Sequence, residues 1–232
     1  MSLLLVAHGT HKPEGVTLVG ELADRVSELL DRRVKVAFVD VLGPSPQDAL
    51  GPSSIVVPAF LARGYHVNTD IPAQVAASGH TDTVVTPPLG PSPQIVRVLA
   101  DRLAVSGWRP GDSVVLAAAG TSDRAARRDL HTTAAWLSGT IGTRVELAFA
   151  AMGGPRVAEA VAALRSRGAN RVVVASYLLS DGLFQDRLRA SGADIVTEPL
   201  GAHFGTVHLV ASRFRRAHGF NSTLPSAVMR VS

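Results

Sequence analysis

The chain has 232 residues, enough for one large domain or two of ordinary size, and its 46% hydrophobic and 18% charged residues build a core and exclude a disordered chain. It holds no cysteine, which removes disulfides, zinc fingers, iron–sulfur clusters and thiol nucleophiles together. The net charge of +4 rests mostly on arginines scattered along the chain, without the basic stripe of a nucleic-acid binder; it reflects either codon bias or an acidic ligand.

The N-terminus reads as a strand. It lacks the charged n-region and small-residue cleavage site of a signal peptide, and no apolar run reaches the ~18 residues of a membrane span. A soluble, cytoplasmic protein without a membrane partner is expected. Residues 3–7 form an apolar run, and Val16, Val19, Leu22, Val26 and Leu30 then recur at helical spacing. "RVKVAFVDV" (33–41) reads as a second strand and "SSIVVPAFL" (53–61) as a third. "NTDIPAQVAAS" (68–78) opens a helix, with Asp70 as its N-cap and Pro72 in its first turn. "DTVVT" (82–86) is a fourth strand, and Ile95, Leu99 and Leu103 mark a further helix. Continuous apolar strands alternating with helices predict an α/β fold, a parallel sheet covered on both faces.

The pattern then starts again. "LLLVAHGT" (3–10) returns as "VVLAAAGT" (114–121), "RVKVAFVDVLGP" (33–44) as "RVELAFAAMGGP" (144–155), "IVVPAFLARG" (55–64) as "VVVASYLLSDG" (172–182), and "VVTPPLG" (84–90) as "IVTEPLG" (195–201). The offset is 111 residues at the first, second and fourth strands and 118 at the glycine after the third. Matched blocks in fixed order predict two tandem duplicated domains, residues 1–109 and 110–220, joined at "GWRPGD" (107–112), with 221–232 a tail.

A duplicated chain is its own control. Residues that make the fold should stand in both copies, and residues that serve one site need stand in only one. His8 ends the first strand, Asp40 lies near the end of the second, and His66 follows the third; their counterparts are Ala119, Ala151 and Phe184. In a parallel sheet these strand ends lie along one edge, where ligands of open α/β sheets bind. Two imidazoles and a carboxylate suit Fe²⁺, Co²⁺ or Ni²⁺, and three protein ligands leave positions open for transfer. Taken singly, each residue has a plainer role: His8 hydrogen-bonded at a strand end, Asp40 capping a turn, His66 on a loop. The other histidines read as solvated, except that His11 lies close enough to His8 to line a cleft. Asn68 and Asp70 either cap the following helix or support His66 from behind. No P-loop, G-x-G-x-x-G or G-x-S-x-G occurs. The loops "HGTHKPEG" and "AGTSDRAARR" precede helices, so their backbone N–H groups suit anions, with charge from Lys12, Arg63, Arg124, Arg127 and Arg128.

"LLLVAHGT", "VAFVDVLGPSP" and "VVPAFLARGYHVNTDIP" closely resemble the class II tetrapyrrole chelatases, CbiX/SirB-like sirohydrochlorin chelatases in their long two-domain form, over most of residues 1–220. The resemblance implies insertion of Fe²⁺ (giving siroheme) or Co²⁺ (giving cobalt-sirohydrochlorin, toward cobalamin) into the anionic tetrapyrrole sirohydrochlorin. Family histidines of the HG[ST] and G-x-H motifs fall on His8 and His66, implying roles as metal ligands and proton acceptors. The family's acid is often glutamate and is Asp40 here, whose shorter arm draws the metal nearer the sheet. Thr10, Arg63 and Arg124 are then candidate contacts to substrate carboxylates. The metal is a substrate, no organic cofactor is expected, and two fused halves form a cleft within one chain, which suits a monomer. The alternatives are a non-catalytic metal or tetrapyrrole carrier on the same fold, and a structural domain with incidental histidines.

Overall fold

The structure, a computed structural model, describes residues 1–10 and 12–222. His11 and most of the expected tail lie outside them. Two four-stranded parallel sheets form the frame. In the first, β1 (Ser2–Ala7), β2 (Val34–Phe38), β3 (Ser53–Pro58) and β4 (Asp82–Val85) stand in the order β2-β1-β3-β4. In the second, β5 (Ser113–Gly120), β6 (Val145–Met152), β7 (Val172–Tyr177) and β8 (Ile195–Val196) repeat it as β6-β5-β7-β8. The expected α/β duplication is therefore present.

Register refines the alignment of the halves. Leu3 faces Val34 and Ile55, while Val114 faces Val145 and Val173. The 118-residue offset thus already holds on the third strand rather than beginning after it. The extra length lies in the preceding crossover, where the ten-residue α6 (Val157–Ser166) replaces the four-residue α2 (Pro46–Ala49).

Helix ends follow local chemistry. In α4 (Pro93–Val105), Ser92 accepts from Ile95 N–H and proline follows it. In α5 (Arg124–Ile141), the Asp123 carboxylate accepts from the N–H groups of Ala125 and Ala126. α1 (Pro13–Leu30) starts at proline without a side-chain cap. α3 (Ile71–Ala77) does not start at an Asp70 cap, because a π-helical turn over His66–Asp70 runs directly into it and Asp70 makes no capping bond. The second half has instead only α7 (Leu183–Arg189).

The closing helices are exchanged. α4 packs against β7 and α5, and α8 (Phe204–Ser222) packs against β3 and α1. The counterpart arginines Arg102 and Arg213 make the crossing bonds, Arg102 to Leu200 O and Arg213 to Pro88 O, each at 3.1 Å. One apolar cluster accordingly runs through both halves, from Leu3, Leu5 and Ile55 to Leu116, Tyr177 and Phe214. Among the described residues no helix is long and apolar enough to cross a membrane.

Candidate functional site

β1 lies between β2 and β3, so the carboxyl ends of all three adjoin. Val39 N–H reaches Ala7 O at 3.0 Å and Ala59 N–H reaches Val6 O at 2.7 Å. The chain beyond each strand therefore leaves from one edge, at the reversal of strand order where open α/β sheets bind ligands. Gly9 makes the crowding possible: a Cβ there would stand 1.9 Å from Asp40 O. Gly120 repeats the device, with Met152 O at 2.1 Å from such an atom and φ of +115°. The shared Gly-Thr is thus a packing feature of both halves.

The structure brings His8 and His66 together, with ring centroids 4.9 Å apart and planes nearly perpendicular. His8 Nδ1 donates to Gly9 O at 2.6 Å, and His66 Nδ1 donates to Asp70 Oδ2 at 2.5 Å. Because a carbonyl and a carboxylate only accept, the neutral rings carry their protons on Nδ1 and leave each Nε2 lone pair available. A carboxylate behind an imidazole is the usual way to orient a ligating or proton-accepting histidine. Asp70 thus takes the supporting role and not the capping one. Phe60 and Tyr65 rings lie 5.9 Å from His66 and wall the loop.

Asp40 lies past the end of β2 and is exposed. Its Oδ1 accepts from Val41 N–H at 2.7 Å, within a turn that holds Val41 at φ +69°, a conformation a β-branched residue adopts only under constraint. Among the described residues no three histidine or acidic side chains converge enough to hold a metal ion. Of the expected set, the structure brings His8 and His66 together, while Asp40 stays on its own turn, bonded to Val41.

The expected anion contacts are placed differently. Thr10 Oγ1 accepts from Lys12 N–H at 3.2 Å, and Lys12 pairs with Asp186 of the second half. Arg63 is held by Asp129 through Nε at 2.8 Å and Nη2 at 2.5 Å. Arg127 lies over the Phe149 ring at 5.2 Å. Arg124 and Arg128 are exposed on the first turns of α5, whose N-terminal N–H groups Asp123 already engages in part. Of the remaining histidines, His131 and His218 are exposed as expected. His80, His203 and His208 are half-buried instead, His203 Nδ1 accepting from Gly205 N–H and the His208 ring lying tilted against Phe204 with centroids 4.0 Å apart.

The corresponding edge of the second half carries apolar residues. Ala119 is half-buried where His8 stands in the first half, and Phe184 is exposed at the place of His66. The two edges meet: a Cβ on Gly15 would lie 3.2 Å from Asp181 O, and the Lys12–Asp186 pair bridges them. Exposed Val41, Leu42, Tyr65, Met152, Leu183 and Phe184 lie at or in the segments that follow the carboxyl ends of β2, β3, β6 and β7.

Sequence and structure comparisons match the fold and its duplication. The CbiX family profile matches residues 2–106 and again 113–217. The chain is 30% identical over 129 residues to a sirohydrochlorin cobaltochelatase of Methanothermobacter thermautotrophicus, covering 44% of this chain and 90% of that protein. It is 24% identical over 237 residues to a sirohydrochlorin ferrochelatase of Priestia megaterium, covering 92% and 89%. The structure of SirB from Bacillus subtilis with Fe³⁺ superposes with a TM-score of 0.81 at 19% identity, over 95% of this chain and 96% of that one. Two profile matches in tandem account for nearly all of the described residues, and the chain belongs to the CbiX family of class II tetrapyrrole chelatases.

Proposed function

We propose that this protein is a sirohydrochlorin chelatase that inserts Fe²⁺ or Co²⁺ at the edge shared by β1, β2 and β3. The observation that carries the reading is the facing pair of His8 and His66, each with Nδ1 committed to an oxygen and Nε2 left free. Insertion forms metal–nitrogen bonds and displaces two pyrrole N–H protons. A free imidazole nitrogen serves either need, as a moderate ligand that releases its metal or as a base that takes a pyrrole proton. Asp40, on the adjoining strand end, supplies a third donor, an oxygen, when its bond to Val41 opens. The exposed apolar side chains on both edges suit the faces of a flat macrocycle, and Arg124 and Arg128 suit its carboxylates. The reading needs no organic cofactor and no partner chain, and it puts the enzyme in the cytoplasm as a monomer.

The test is anaerobic absorbance of sirohydrochlorin with Co²⁺ or Fe²⁺ and purified protein. Wild type should exceed the uncatalysed rate, and His8→Ala and His66→Ala should each lose about a hundredfold or more. Equal rates in the variants would remove the site assignment. Tight binding of metal or macrocycle without turnover would leave a carrier.

A further inference from the structure

The loop that delivers His66 is held from the other half of the molecule. Between the end of β3 and the helical turn that carries His66, residues 59–64 form neither helix nor strand. Leu61 O accepts from the Tyr177 hydroxyl on β7 at 2.8 Å. Two residues on, Asp129 of α5 receives three bonds from Arg63: backbone N–H at 3.1 Å, Nε at 2.8 Å and Nη2 at 2.5 Å. Asp129, Thr133 and Tyr177 are buried together, and Thr133 Oγ1 reaches Asp129 O at 3.0 Å and the Tyr177 hydroxyl at 3.4 Å. Burial opposes ionisation of Asp129, but the Arg63 guanidinium and backbone N–H outweigh it and hold its carboxyl below the usual range.

The duplication shows that this grip is not a general requirement of the fold. At the 111-residue offset, Asp129 corresponds to Leu18, and at the 118-residue offset, Arg63 corresponds to Asp181. The mirror contact is apolar on one side, and Asp181 bonds locally to Gly182 N–H and Arg189. The half with histidines at its edge lacks the buried acid, and the half with the acid lacks the histidines. A carboxylate that takes a backbone N–H and both ends of a guanidinium fixes position and orientation together.

We propose that Asp129 is a positioning residue for His66, acting through Arg63 to set where the His66 loop sits against His8. The kinetic part rests on the chelatase reading; the positional part does not. The test compares wild type, Asp129→Asn, Asp129→Glu, Arg63→Ala and Val161→Ala, the last a core variant in α6 away from the loop. Histidine side-chain ¹H–¹⁵N spectra without metal should show His66 displaced in Asp129→Asn and Arg63→Ala and unmoved in Val161→Ala. Co²⁺ insertion should lose between about tenfold and about a hundredfold in kcat in those two, the order that misplacing a reacting group by about 1 Å brings. KM for sirohydrochlorin should stay within about twofold, and Asp129→Glu should recover part of the rate. Arg63 has a 55% exposed side chain, so Arg63→Ala keeps the test available if Asp129→Asn does not fold. Unmoved His66 signals in Arg63→Ala, or a kcat that simply follows stability in all variants including Val161→Ala, would overturn the proposal. A wild type inactive with every metal would sink the chelatase reading, while the spectra would still decide the positional one.

Discussion

At Gly9 and Gly120 the next strand's exit passes where any side chain would stand. Gly9→Ala should therefore destabilise by about 1–3 kcal/mol, the range for forcing extra volume into a packed place. Gly120→Ala should cost more, because its φ of +115° adds backbone strain for a residue with a Cβ. Urea denaturation measures both. His8→Ala, at an exposed position, should by contrast stay within about 0.5 kcal/mol of wild type. Asp70→Asn should lower Co²⁺ affinity roughly 10- to 100-fold, since losing the carboxylate frees the His66 ring to turn and change tautomer; a Co²⁺ titration reads this. His8 and His66 were legible in the sequence because the second copy keeps the strand and drops the imidazole. Asp70 was legible only as one of two roles, since Asp before Ile-Pro looks like a cap; the π-helical turn removes the cap geometry and frees the carboxylate for His66. Asp129 was not legible at all, because an acid in "DRAARRDLHTT" reads as one more charge on a helix face until the fold buries it.

Strand and helix positions came through as periodicity, and the parallel sheet as unbroken apolar strands alternating with helices; strand order did not come through, and neither did the destination of α4 and α8. An apolar stripe at helical spacing states that a face is covered, not which sheet covers it. The packing of α4 on β7 and of α8 on β3 reveals the exchange, and the bonds of Arg102 and Arg213 tie it down. These two arginines occupy equivalent positions and do equivalent things, so Arg102→Ala and Arg213→Ala should lower stability by similar amounts, about 1–2 kcal/mol for a lost guanidinium bond to a carbonyl, checked by chemical denaturation. Asp123→Ala should cost about 1 kcal/mol through loss of two N–H bonds at the start of α5. A marked excess over that would mean that the α5 N-terminus carries further load at the seam between the halves.

The whole molecule should unfold as one unit, because a single apolar cluster spans both sheets and each sheet is covered in part by the other half's last helix. Calorimetry should give one transition with matching calorimetric and van't Hoff enthalpies. Acid should weaken it in a defined direction. Asp129 is held below the usual carboxylate range by Arg63 against the cost of burial, Asp181 by Arg189, and Asp194 by the Val172 N–H. Carboxyls depressed in the folded state contribute stability that is complete above their unfolded pKa of about 4 and is lost as pH falls through the folded values. Urea midpoints should thus hold steady above about pH 5 and fall below about pH 4, and Asp129→Asn should flatten that fall.

The helix exchange bears on ancestry. A polypeptide half this long, with its last helix extended outward, would have to meet a twin to cover its sheet, and two identical twins must carry identical side chains at both edges. Every histidine would then face its own duplicate, and a buried acid gripping one loop would grip both. Joining the twins into one gene lifts that constraint. One edge becomes free to keep the imidazoles while the other turns apolar and takes over holding them in place, a division of labour that symmetry forbids to a pair of equals.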